Sequence, residues 1–141
     1  MAPNRAPQLT FDSHRRVTVG TISESNMLDA MNVTEFGNEV LEFIKDKPGL
    51  QLLLNFEHVD YMSSAALTEL LRINEALRTT AGSVRLCGLS KDIRKVFQIT
   101  NLEKLFVIHE DETADLALKR FVRALEIAQE EKSWAGHSAG N

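Results

Sequence analysis

Residues 50–71 read LQLLLNFEHVDYMSSAALTELL, and the change of pattern inside this stretch decides the fold. Its first half, 50–59, is nearly continuous in apolar residues, as expected of a strand buried on both faces of a parallel or mixed sheet. From Ser63 to about Thr80 the period changes: Leu67, Leu70, Leu71, Asn74 and Leu77 recur at helical spacing. A buried strand passing through a short link into an amphipathic helix is the unit of α/β layering, not of a bundle or a sandwich.

The same alternation continues on either side. TTAGS closes the helix with Gly82, and VRLCGL at 84–89 is the next interior strand. SKDIRKVFQITNL is a short helix, with Ser90 as N-cap and Ile93, Val96 and Phe97 facing inward. KLFVIHE is a last strand, followed from about Glu112 by a helix carrying Leu118, Phe121, Val122 and Leu125. Upstream, Val33, Phe36, Val40, Phe43 and Ile44 mark a helix capped by Asn32 and ended by DKPG at 46–49. Before it, SESNMLDAMN reads as a loop. Arg16–Ile22 alternates as a strand with Val17, Val19 and Thr21 on one face, and Leu9–Ser13 reads as an edge strand.

The sequence therefore predicts one α/β domain over residues 9–130. It has a mixed sheet of four to five strands and about four helices packed mainly on one side. Residues 1–8 and 131–141 are expected to be flexible tails.

Composition excludes several classes of function. With a net charge of −4 and a pI near 5.6, the chain has no electrostatic footprint for nucleic acid or anionic lipid. No apolar run approaches the length of a membrane span, and MAPNRAPQL lacks the apolar region of a signal peptide. The single cysteine, Cys87, rules out an internal disulfide and fits a cytoplasmic protein. There is no glycine-rich phosphate loop, CxxC, HExxH or GxSxG. His14, His58, His109 and His137 lie in separate segments. Ser64, His58 and Asp60 could form a triad on paper, but His58 and Asp60 are two residues apart and no oxyanion donors are identifiable. The chain reads as a non-enzyme with no cofactor and no metal site.

Ser63 and Ser64 carry two readings. Serine is among the best N-caps, so both could serve the helix alone. Only one can be the cap, however. If Ser63 caps, Ser64 stands in the first turn near the positive end of the helix dipole, and Ala65 and Ala66 leave the corner uncluttered. A phosphate there would be tolerated, or would stabilise by up to ~1 kcal/mol, while adding about two negative charges to a docking surface.

The run from LLLNFEHVDYMSSAALTELL through GSVRLCGL to IRKVFQITNLEKLF resembles the STAS domain, the sulfate-transporter and anti-sigma-factor-antagonist family. The likeness extends from about Arg16 to Val122 and is closest to the stand-alone bacterial type. It implies an anti-sigma factor antagonist in a partner-switching pathway. The unphosphorylated domain would bind an anti-sigma factor or switch serine kinase, phosphorylation of one serine would end that interaction, and a serine phosphatase would restore it. The family motif, aromatic-Met-Asp-Ser-Ser-Gly-Leu, lies on YMSSAAL: Tyr61, Met62 and Leu67 match. Ser63 falls on the Asp, Ser64 on the first Ser, Ala65 on the second and Ala66 on the Gly. The resemblance thus implies Ser64 as acceptor, with Ser63 as second choice.

The family's first-helix region similarly aligns with DAMNVTEF, implying Asp29 as a partner contact and Asn32 as a contact or a cap. Glu35 matches the family Glu, and Asn55 falls at a structural Asp or Asn position. The implied binding surface comprises Asp29, Asn32, Tyr61, Met62, Ser63, Ser64, Ala65 and Ala66, on a monomer or weak dimer. The alternative is a non-switching scaffold or sensor module of the same fold, with both serines acting as caps.

Overall fold

The computed structural model describes residues 8–23, 27–29 and 32–139. Five strands form the main sheet: β1 (Gln8–His14), β2 (Val17–Ser23), β4 (Gln51–Asn55), β6 (Ser83–Cys87) and β7 (Val107–His109), in the order β1-β2-β4-β6-β7. The β1–β2 hairpin is antiparallel, and every other pairing in this sheet is parallel. The crossovers are α1 (Val33–Ile44), α2 (Ser64–Arg78) and α3 (Lys91–Ile99), and α4 (Ala114–Ala139) follows the last strand. Two further short strands, β3 (Met27–Leu28) and β5 (Tyr61–Met62), pair in parallel outside the main sheet.

The apolar run at 51–55 divides between two cores because successive side chains of a strand point to opposite faces. Leu52 and Leu54 face the larger core, where Phe36 and Val40 of α1, Leu70 and Ile73 of α2, and Phe97 of α3 are all buried. Leu53 faces the smaller core, shared with Val17, Val19 and Cys87 of the sheet and Phe121 and Val122 of α4. Three helices thus cover one face and α4 alone covers the other. This is the expected architecture, with most of the helices on one side. Gly37, inside α1, lets that helix come close to α2, because a β-carbon there would collide with the Glu69 side chain.

Four sequence readings are corrected. SESNMLDAMN is not all loop: Met27–Leu28 is a strand, while 24–26, 30 and 31 lie outside the described residues. The strand at 50–59 stops at Asn55, and Val59 N–H closes a turn onto the Phe56 carbonyl at 2.9 Å. The last strand is only Val107–His109, because Leu102–Lys104 forms a 3-10 turn. Helix α4 continues to Ala139, so most of the C-terminal stretch expected as a flexible tail is helical. Its Glu, Gln, Lys and Ala content looks like a polar tail but consists of strong helix formers. Of the N-terminal tail, residues 1–7 lie outside the described residues, as do 140 and 141; Gln8 already belongs to β1. No helix among the described residues is long and apolar enough to cross a membrane.

Candidate functional site at the start of α2

The serine corner is built by the small β3–β5 pair. Leu28 lies opposite Met62, and one residue further Ser63 N–H donates to the Leu28 carbonyl at 2.7 Å. The parallel register therefore brings Asp29, the residue after β3, level with the start of α2. The Asp29 carbonyl accepts from Val33 N–H at 3.0 Å, and Asp29 N–H donates to Asn32 Oδ1 at 3.0 Å. Asn32 holds the N-cap position of α1 but does not cap it, because its side chain turns back to shape the Asp29 turn.

Ser63 and Ser64 occupy contrasting environments. Ser63 has the extended backbone of an N-cap (φ −79°, ψ 167°), yet its side chain makes no cap hydrogen bond. Its Oγ is buried with no hydrogen-bond partner. The first backbone bond of the turn runs from Ala66 N–H to the Ser63 carbonyl at 3.0 Å. Ser64 is the first residue of α2 and is exposed. The first turn of α2 carries no acidic side chain, so the dipole's positive end has no charged group of its own helix beside it. The expectation that Ser63 caps through its hydroxyl is therefore not met.

Exposure sorts the remaining predicted contacts. Tyr61 is 51% exposed, and Asp29 and Ala65 are half-buried. Met62, Ala66 and Asn32 are buried, at 4%, 0% and 5%, and present no surface to a partner. For Ala66 the cause is helical spacing: it shares the inward stripe with Leu67, Leu70 and Ile73. Met62 alternates with Tyr61 on a strand whose other face is solvent. The corner available to a visitor is thus Ser64, Tyr61, Ala65 and the Asp29 turn.

Of the residues that could form a triad on paper, His58 is exposed and its Nε2 lies 3.6 Å from Glu57 Oε1. Asn55 has the structural role its position implied, accepting from Glu57 N–H and donating to Glu57 Oε1, each at 3.1 Å. Burial, aided by the charges of Glu57 and Glu112, pushes the Cys87 thiol up to about 12, leaving it an inert core group at neutral pH. Two polar features escaped the sequence reading. Glu69 is 8% exposed and takes both its contacts, at 2.7 and 3.0 Å, from Arg72. His109 is buried, with Nδ1 2.8 Å from Glu112 Oε1. Each pair is three residues apart, a spacing that marks it in retrospect.

Comparison with known proteins agrees with this geometry. A model of the STAS domain matches residues 10–115. Over 75 residues the chain is 35% identical to a Bordetella bronchiseptica protein named as an anti-sigma factor antagonist, BtrV, a match covering 52% of this chain and 65% of that one. The chain thus spans somewhat less than two thirds of that relative. An anti-sigma-factor antagonist (STAS) domain protein from Planctomyces limnophilus has the same fold, with a TM-score of 0.73 at 19% identity over 81% of this chain and 97% of that one. The anti-sigma factor antagonist SpoIIAA in its unphosphorylated form aligns with a TM-score of 0.63 at 26% identity, over 84% of this chain and 98% of that one. The phosphorylated form of SpoIIAA, a Bacillus cell fate determinant, gives 0.61 at 25% identity, over 82% and 98%. With a family model spanning β1 to the start of α4 and the same architecture in solved relatives, this chain belongs to the STAS domain family.

Proposed function

We propose that this STAS domain is an anti-sigma factor antagonist controlled by phosphorylation of Ser64. In the unphosphorylated state the corner of Ser64, Tyr61, Ala65 and Asp29 docks on an anti-sigma factor that is also a serine kinase. Transfer of a phosphate to the Ser64 hydroxyl ends the complex, and a serine phosphatase restores it. The observation that carries this reading is the contrast between the two serines: the Ser64 side chain is in solvent, whereas the Ser63 hydroxyl is buried.

The physical consequences favour a binding switch over a folding switch. A phosphate on Ser64 meets the positive end of α2 and displaces no packed group, so the fold tolerates it. A partner seated on the corner must instead desolvate about two negative charges beside the Asp29 turn. No nucleic acid, membrane or cofactor is needed, and the domain acts by binding, in the cytoplasm, where a lone buried cysteine is at home.

The test is intact-mass and phosphopeptide analysis after incubation with the cognate switch kinase and ATP. One phosphate is expected on Ser64, retained in Ser63→Ala and absent in Ser64→Ala. An unmodified protein, or one modified at Ser63, overturns the assignment. Large self-assembly without any kinase would favour the scaffold alternative.

A further inference from the structure

Helix α4 is longer than the core beneath it. Its 26 residues extend about 39 Å, but its packing into the smaller core ends at Leu125. From residue 126 to 134 no side chain belongs to either apolar core, the packing that normally holds such a length in water.

The face of α4 turned away from the sheet has its own pattern. Leu116, Arg120, Arg123, Ile127, Glu130 and Trp134 follow one another at alternating steps of four and three residues, the seam of a helix that packs on another helix. Its apolar members lie in solvent: Leu116 is 40% exposed, Ile127 39% and Trp134 72%. Charge along this face is segregated about Leu125. Of the charged members of the seam, Arg120 and Arg123 lie on the N-terminal side and Glu130 on the C-terminal side.

We infer that the outward face of α4 binds a second copy of this chain, the two helices antiparallel about a twofold axis near Leu125. That register sets Leu116 opposite the other copy's Trp134, Arg120 opposite Glu130, and Arg123 opposite Ile127, and each pairing occurs twice by symmetry. Basic half meets acidic half, whereas a parallel arrangement in register would oppose like charges along the seam. Arg120 already holds Glu112 through Nε at 2.9 Å, which leaves its terminal nitrogens to reach the facing Glu130. Glu126, on the flank of the helix, is held 3.7 Å from Arg15 of its own chain and takes no part in the seam. The contact lies on the sheet face opposite α2, so both serine corners stay open and this dimer does not depend on their function.

Sedimentation equilibrium of the full chain over a concentration series, at low and high salt, tests the inference. A monomer–dimer equilibrium that weakens with salt is expected. Trp134 is the only tryptophan, so its fluorescence emission should move to shorter wavelength as the dimer fills. Trp134→Ala and Glu130→Arg should each weaken association tenfold or more, with far-UV circular dichroism unchanged. Arg120→Glu should do the same, and the double reversal of Arg120→Glu with Glu130→Arg should restore it. A chain that stays monomeric throughout, a dimer indifferent to these changes, or a double variant as weak as the singles would overturn it.

Discussion

Replacing Ser63 by alanine sets two rules against each other. If position alone decided, loss of an N-cap serine would destabilise the protein by about 1 kcal/mol. In this structure the Ser63 hydroxyl makes no cap bond and is buried with no partner. A buried, unpaired hydroxyl costs roughly 1–3 kcal/mol, and removing one atom forfeits only a few tenths in dispersion. Ser63→Ala is therefore expected to stabilise the protein by about 1 kcal/mol. The molecule supplies its own control, since Ser90 at the start of α3 does cap, accepting from Ile93 N–H at 3.2 Å. Ser90→Ala should lose about 1 kcal/mol. The two variants should differ by about 2 kcal/mol, or about 8 °C in Tm at roughly 4 °C per kcal/mol. Urea and thermal unfolding followed by circular dichroism measure both. If Ser63→Ala is as destabilising as Ser90→Ala, the hydroxyl caps α2 in solution and the contrast between the two serines fails.

Three further outcomes are expected. Gly88→Ala should cost about 3 kcal/mol in chemical denaturation. Gly88 has φ +73°, and its added β-carbon would stand 2.7 Å from the Glu57 backbone nitrogen and 2.8 Å from Asn55 Oδ1, so a loss under about 1 kcal/mol contradicts the packing. Cys87 should resist thiol reagents at pH 8 until the protein unfolds, and rapid labelling of the native state would show that it is not buried. Because its folded pKa is raised from 9.0 to about 12, its contribution to stability is complete below pH 9 and is lost as pH climbs toward 12. Ser64→Asp should leave Tm unchanged or a few degrees higher while weakening capture of the proposed anti-sigma factor partner, and a large loss of Tm would show that the corner is packed.

What could be read from the chain was whatever repeats with a period. The strand around Leu53 and the stripes of α1, α2 and α3 announce themselves because their burial follows strand or helix geometry. The pair Met27–Leu28 and Tyr61–Met62 was not legible: two residues carry no period, and the pairing is set by the register of one hydrogen-bonded ladder. That pair is nevertheless what brings Asp29 to the serines. Burial within the motif was only half legible. YMSSAAL shows which residues are adjacent, but not that the turn sends Met62 and Ala66 inward and leaves Tyr61 and Ser64 outside. The reach of α4 was hidden for another reason: its residues 126–134 contribute no side chain to either core among the described residues.

The same small pair explains why a change at Ser64 would be read at the surface. Ser63 N–H is held by the Leu28 carbonyl, Asp29 N–H by Asn32, and the helix behind them by Ala66, Leu67 and Leu70 in the main core. A group added to Ser64 cannot move this backbone without breaking that ladder and withdrawing buried side chains, several kcal/mol in all. The dipole's attraction for a phosphate is worth up to about 1 kcal/mol. Packing and the ladder therefore outweigh that attraction and hold the frame still. On the proposed reading, the phosphate changes the charge and shape that a partner meets and leaves the domain folded as it was.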